Sequence, residues 1–354
     1  MKNFLIRQAL ATLRPALHPP IAERRILLIS TTGLGDSLWA TPSIASLRLS
    51  FPNAYIACLT SPVGLQVLEG NPHLNKLYLV QRPVSRSFFS LQRTLYQEKF
   101  DTVLIFHASD RLIFALAASL GAQTIVSTRG KNKGLDSLCT HLLPALPEEH
   151  EIDRRLRIIE ETGARRATNE LFFSTGSAEK FLQIEGRWVA LHPGSKDSFK
   201  RWPASHFIAV GKALTERTGV NILITGSQEE EALMKEVQEG IPGARLADTR
   251  LPLHQLAALL EQVELLICND TGPFHLACAL KKRAIALYSP TNPLLCGPKT
   301  ELASAIAAPP SCTPCAFRKC PYPFCLLQIG PERVIKEALS LLSKESNSYN
   351  GPGS

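Results

Sequence analysis

The sequence predicts an α/β protein built from two successive parallel-sheet units, and three observations carry that expectation. Short apolar runs that read as buried strands alternate with longer segments of helical period, the order that builds a parallel sheet with helices over it. The alternation stops across Asp153–Ser177 and begins again at Trp188. The length, 354 residues, suits two domains at about 150 residues each. The expected product is two open sheets facing a central cleft, with ligands beyond the carboxyl ends of the strands.

In the first half, strands are expected at Ile26–Ser30, Tyr55–Leu59, Leu77–Val80 and Thr102–Phe106, and helices at Ser37–Leu49 and Leu91–Lys99. Asp153–Ser177 is charged, then polar, with Gly163 and Gly176 and no sustained apolar period, so the domain junction is placed there. In the second half, strands are expected at Trp188–His192, Asn221–Thr225, Leu265–Asn269 and Ala284–Tyr288. Helices are expected at Ala204–Arg217, Glu229–Glu239, His254–Val263 and Gly272–Leu280. The expected division is residues 1–175, residues 176–330, a C-terminal helix over 331–344 and a flexible tail over 345–354. Ahead of the first strand, Asn3–Leu17 sets Phe4, Leu5, Ala9, Leu10 and Leu13 against Arg7 and Arg14, an amphipathic helix stopped by Pro15, Pro19 and Pro20. It reads as a helix packed on its own domain, or alternatively as a membrane-surface anchor.

Hydrophobic residues at 45% and charged residues at 20% argue against a disordered or fibrous chain. The formal net charge of +8 suggests an anionic partner: nucleic acid, phosphorylated metabolites or a membrane surface. There is no apolar run of the roughly 18 residues a membrane span requires, and Met1–Arg25 lacks the form of a secretory signal. The nine cysteines need not form a disulfide framework in a chain this long, so the expected compartment is the cytoplasm.

Four segments could carry chemistry. In the first, Ile26–Ser30 runs into Gly33-Leu-Gly35-Asp36. A dinucleotide fingerprint would need a third glycine where Leu38 stands. What is left is a carboxylate at a helix head, beside glycines that admit another molecule. Asp36 is either a general base or an acid favoured by the helix dipole. In the second, Val189–His192 leads into Pro193-Gly194-Ser195, with Lys196, Lys200 and Arg201 close by. Backbone N–H groups, a hydroxyl and cations are what a phosphate oxygen needs; a solvated basic loop is the alternative. The third is Asn269-Asp270-Thr271-Gly272-Pro273-Phe274-His275, a strand end running into a helix start that can bind an anion. Simple N-capping by Asp270 or Thr271 is the alternative, and His275 is either a ligand contact or a locally satisfied side chain. The fourth is Cys312-x2-Cys315-x4-Cys320-x4-Cys325, which suggests zinc. It lacks the paired C-x2-C spacing of a strong zinc motif, which leaves reduced structural cysteines as the alternative.

Taken together, these segments resemble the bacterial ADP-heptose:lipopolysaccharide heptosyltransferases, glycosyltransferase family nine. The likeness runs from about Arg25 to Val334. It includes Gly-Leu-Gly-Asp36-x5-Pro42, Leu47-Arg48, Phe51-Pro52-Asn53-Ala54, Pro193-Gly194-Ser195, Lys200-Arg201-Trp202-Pro203 and Thr225-Gly226. It continues through Asn269-Asp270-Thr271-Gly272, Pro290-Thr291-Asn292-Pro293 and the cysteine cluster. Ser289 departs from the family's usual glycine.

The resemblance implies the GT-B architecture, two Rossmann-like domains with the acceptor on the N-terminal one and the nucleotide-sugar on the C-terminal one. It implies Asp36 as catalytic base, with Gly33 and Gly35 in the acceptor-side loop. It implies Ser195, Lys200, Asp270, Thr271 and Gly272 at the donor diphosphate, with His275 nearby, Glu229 at the ribose and Leu251 against the adenine. Lys200 would also assist catalysis by stabilising the leaving group.

The implied reaction is inverting transfer of heptose from ADP-heptose to an inner-core lipopolysaccharide acceptor, at the cytoplasmic face of the inner membrane. No cofactor is required, because no Asp-x-Asp motif for a metal-diphosphate stands at a strand end. Transfer of another sugar from another nucleotide, and nucleotide binding without catalysis, are the alternatives. Nucleic acid ranks below them, since there is no basic strand interleaved with aromatics and no recognition helix.

Overall fold

The computed structural model describes residues 3, 4, 6, 8, 16–18, 23–175, 184–309, 312, 320 and 324–343. Two compact units divide the chain, one Met1–Gly176 with Leu294–Cys296, the other Ser177–Pro293 with Gly297–Ser354.

The first unit is a six-stranded sheet of β1 (Arg25–Ser30), β2 (Tyr55–Thr60), β3 (Lys76–Leu79), β4 (Thr102–His107), β5 (Thr124–Thr128) and β6 (His141–Leu143), in the order β3-β2-β1-β4-β5-β6. The second holds β7 (Trp188–His192), β8 (Asn221–Ile224), β9 (Arg245–Leu246), β10 (Leu265–Asn269), β11 (Arg283–Tyr288) and β12 (Ala303–Ala307), in the order β12-β11-β10-β7-β8-β9. Numbered within its own unit, each sheet runs 3-2-1-4-5-6, and every pairing is parallel. That is the doubly wound Rossmann order, so the expected α/β class with two Rossmann-like sheets is the one found.

The central strands are continuous apolar runs because they are buried on both faces: β1, β2, β7 and β10 have almost no exposed position. The eight expected strands are all present. The four extra ones have weak signals: β6 and β9 are three and two residues long. β12, Ala-Ser-Ala-Ile-Ala, is a half-buried edge strand, and β5 is flanked by threonines.

One helix expectation needs correction, and one core helix lies where none is expected. The single helix Ser37–Leu49 is two, Leu34–Leu38 and Thr41–Ser50. Pro42 has no N–H to give the Leu38 carbonyl, and the Thr41 hydroxyl donates to it instead, at 2.7 Å. The core helix Glu151–Glu160 runs into the charged stretch that begins at Asp153, and it buries Ile152, Leu156 and Ile159 along one face together with Arg154 and Arg155. Of the N-terminal segment, the described residues include Ile6, packed on the core of the first unit, and Asn3, whose amide donates to the Lys133 carbonyl at 3.0 Å. Leu5, Arg7, Ala9, Leu10, Leu13 and Arg14 lie outside the described residues, as does the tail over 345–354.

In the second unit, the helix Ala204–Thr218 ends at Gly219, whose φ of 68° favours glycine. The helix Pro331–Ser343 contributes Val334, Ala338 and Leu341 to the same core as Trp202 and Phe207. Trp202 is 1% exposed, stands edge-on to Phe207 at 5.1 Å, and its Nε1 donates to the Ile329 carbonyl at 2.8 Å. Trp202→Ala is therefore expected to cost about 3–5 kcal/mol in urea unfolding, and a loss below about 1 kcal/mol would contradict this packing.

Candidate active site

In each sheet the first and fourth strands are neighbours, and there the chain's winding reverses. That topological switch point leaves the carboxyl ends of the two strands uncovered. In the second unit it lies between β7 and β10, which end in Pro193-Gly194-Ser195 and Asn269-Asp270-Thr271-Gly272.

Asn269 ties the two ends together. Its amide donates to the carbonyls of Pro193 at 2.8 Å and Gly194 at 3.1 Å, and its Oδ1 accepts from the Trp202 N–H at 3.0 Å. All three bonds are buried, where an unpaired polar group is costly. Asp270 does not cap the following helix: it takes the Lys200 ammonium at 2.5 Å, with both side chains largely buried. A lysine ammonium has three donors, so two remain for an anion. Arg201 Nε donates to the Ser195 carbonyl at 2.8 Å, and Ser195 itself is buried. Thr271 is the N-cap residue of the helix Gly272–Ala279, with extended backbone and no capping bond from its side chain. Pro273 has no N–H and the Phe274 N–H donates to the Thr271 carbonyl at 3.1 Å, so the first-turn N–H with no partner inside the helix is that of Gly272. His275 lies buried in that first turn, its ring 5.3 Å from Phe274. Ser195, Lys200, Asp270, Thr271, Gly272 and His275 thus all stand on the two segments that leave this switch point.

Glu229 and Leu251 are less closely tied to it. Glu229 is exposed in the turn Gln228–Glu230, and Leu251 is half-buried in the loop after β9. The acid that faces the Pro193-Gly194-Ser195 turn is the next residue, Glu230. Its carboxylate is buried, accepts from the Ser227 N–H at 2.9 Å and hydroxyl at 3.0 Å, and lies 4.0 Å from His192 Nε2 and 3.8 Å from Arg201 Nη2. Burial holds the His192 imidazole below its usual range, against the pull of Glu230. A Cβ on residue 194 would sit 2.2 Å from the Glu230 carboxyl carbon, so the glycine of that turn is there to admit Glu230.

In the first unit the switch point lies between β1 and β4. Gly33 caps the helix Leu34–Leu38, which carries Gly35 and Asp36. A Cβ at Gly33 would meet nothing nearer than Asp36 Oδ2 at 3.9 Å, and its φ is −81°; the chain's own packing does not demand glycine there. Asp36 Oδ1 accepts from Arg155 Nη2 at 2.9 Å. Sequence reasoning passed over Arg155, which is wholly buried and bonds Glu151 Oε2 through Nη1 at 2.5 Å. Arg154, also buried, reaches the same Glu151 oxygen at 2.7 Å and the Phe106 carbonyl at 2.9 Å.

Burial alone would push the Glu151 carboxyl up, but the two guanidiniums overcome that and hold it at about 2. His107, exposed at the end of β4, titrates below its usual range. Desolvation of its ring dominates, and Asp36 and Glu151 oppose the shift while both guanidiniums add to it. The signal for this cluster was present as Glu151-x-x-Arg154-Arg155, the spacing of neighbours on one helix face.

Of the cysteine set, Cys315 lies outside the described residues. Cys312 is exposed, Cys320 half-buried and Cys325 buried. Among the described residues no group of three or more His, Cys, Asp or Glu side chains is placed to hold a metal. No helix of the described residues is long and apolar enough to cross a membrane.

The tandem Rossmann sheets are the GT-B fold. A solved glycosyltransferase family 9 protein from Veillonella parvula superposes with a TM-score of 0.80 at 23% identity, over 92% of this chain and 99% of that one. The E. coli heptosyltransferase WaaC, solved with ADP-2-deoxy-2-fluoro heptose, superposes with a TM-score of 0.71 at 17% identity, over 89% and 99%. Residues 88–325 match glycosyltransferase family 9 (heptosyltransferase), and the chain belongs to that family and is a glycosyltransferase. Lipopolysaccharide heptosyltransferase 3 of E. coli K12 is 28% identical over 75% of this chain and 83% of its own length.

The Glu151 cluster generates a pH prediction. Because its folded-state value lies below the ordinary 4.5, its contribution is complete above about pH 4.5 and is lost as pH falls toward 2. The stability gap between wild type and Glu151→Gln, measured by urea unfolding, is expected to narrow by up to about 3 kcal/mol between pH 5 and pH 2. A gap that stays constant would contradict the cluster.

Proposed function

We propose that this glycosyltransferase moves heptose from ADP-heptose to an inner-core lipopolysaccharide acceptor, with inversion, using Asp36 as general base. The observation that carries the reading is the assembly of Lys200, Asp270 and the helix start at Thr271–Gly272 at the second switch point, a site built for a diphosphate. The donor is suggested by WaaC, solved with an ADP-heptose analogue, and the acceptor by the lipopolysaccharide heptosyltransferases among the relatives. The net charge of +8 suits a glycolipid acceptor and a place at the cytoplasmic face of the inner membrane.

In the proposed step the acceptor hydroxyl gives its proton to Asp36, and its oxygen forms the new bond to the anomeric carbon. The bond from that carbon to the β-phosphate oxygen breaks, and its electron pair leaves with ADP. The developing charge falls on the diphosphate, so the leaving group needs positive electrostatics more than a proton. Lys200 supplies it with the two N–H donors that Asp270 leaves, and the helix start adds the backbone N–H of Gly272. Ser195 lines the turn beside them. Within this site Glu230, rather than Glu229, is the acid we assign to the ribose hydroxyls, because it is the one that faces the turn. Leu251 is retained as the adenine contact implied by the family likeness.

The two halves of the reading separate by mutation. Asp36→Asn is expected to lower the transfer rate 10²–10⁴-fold, the usual worth of a general base, with ADP affinity nearly intact. Lys200→Ala is expected to weaken ADP binding by about 1.5–3 kcal/mol, read by calorimetry. Full turnover by the first variant, or unchanged ADP affinity in the second, would contradict the assignment.

A further inference from the structure

Whichever way an aspartate is used as a base, one of its oxygens must be held at a fixed place and angle. A side chain near the surface with two rotatable bonds does not do that unaided, and the Gly33 N–H, at 3.4 Å from Asp36 Oδ2, is too long a contact to do it. Oδ1 has a stronger partner. Arg155 gives it an N–H at 2.9 Å from a guanidinium with no exposure at all.

That guanidinium is itself held through its second arm, although its Nε is buried without a hydrogen-bond partner. Nη1 bonds both the Glu151 carboxylate at 2.5 Å and the Glu151 carbonyl at 2.8 Å, and the group lies 5.5 Å over the Trp39 ring. Trp39 follows the helix that carries Asp36, so the cation touches that segment at two points. A buried ion pair is weak evidence for stability, since desolvation offsets much of the attraction. Neutral or apolar residues would fill this space at less electrostatic cost.

On the reading of Asp36 as the base, we infer that Arg155 is its positioning residue: it holds Oδ1 so that Oδ2 is presented to the acceptor hydroxyl. Arg155 does not touch the reacting atoms. It remains paired with Glu151 when Asp36 takes up the proton, so the buried guanidinium is never left without a counter-charge. The planar fork is what the role requires. Its two N–H arms reach Glu151 and Asp36 together, whereas a lysine ammonium on a flexible stem cannot reproduce that geometry.

The test is a double-mutant cycle on transfer rate, with Arg155→Lys as the principal variant because it keeps the charge opposite Glu151. Arg155→Lys is expected to lower kcat about 100-fold, the scale of a misplacement near 1 Å, with the KM for the ADP-sugar within about twofold. In the Asp36→Asn background the same change should alter the residual single-turnover rate less than about twofold, because a residue that acts through Asp36 has nothing left to position. A kcat within twofold of wild type would overturn the proposal, and so would an equal loss in both backgrounds. Arg155→Met, with folding checked by thermal melting, should behave like the lysine variant or worse, and wild-type kcat in a folded Met variant would also overturn it. Wild-type turnover by Asp36→Asn alone is the separate result that removes the base, and it is read before Arg155 is touched.

Discussion

The two candidate sites of this chain follow from a topological constraint that is met twice. A parallel sheet wound outward from its middle has one place where neighbouring strands send their chains in opposite directions, and no crossover covers the strand ends there. In both sheets that place lies between the first and fourth strands. The strands themselves are apolar and buried on both faces, so the sheet interior supplies the stability and carries no chemistry. Asp36 lies beyond one uncovered end, and Ser195, Lys200, Asp270 and Thr271 beyond the other.

Both ends carry polar groups out of water, and both compensate them locally. At the second, Asn269 meets three backbone groups with one side chain, and Lys200 and Asp270 neutralise each other. At the first, Arg155 lies between Glu151 and Asp36. Removing one member of such a group leaves an uncompensated charge, which costs far more than the intact pair contributes. Rigidity at these ends is therefore coupled to charge balance, which suits the proposed roles of holding a diphosphate and a base in place.

The apolar strands and the glycine-bearing turns after β1, β7 and β10 were legible from residue order, because each is a local signal. Asp36, Ser195, Lys200, Asp270, Thr271, Gly272 and His275 are singled out that way as candidates. What escaped depended on partners far along the chain. Arg155 meets Asp36 across 119 positions, and a run of charges looks solvated until its partner is known, so the helix Glu151–Glu160 is not legible from the charged stretch alone. Glu229 and Glu230 are adjacent acids with the same local signal, and the turn at Gly194 decides which of them is buried. The edge strands β6, β9 and β12 are too short or too mixed in composition to register.

On the proposed function, the second switch point holds an ADP-sugar. A thermal-shift titration of the purified protein against ADP-, UDP-, GDP- and CMP-sugars tests it directly. Binding to the folded state raises the melting temperature by mass action, so ADP-heptose and ADP should stabilise the protein while the other nucleotides leave it unchanged. Stabilisation confined to UDP compounds would contradict the assignment.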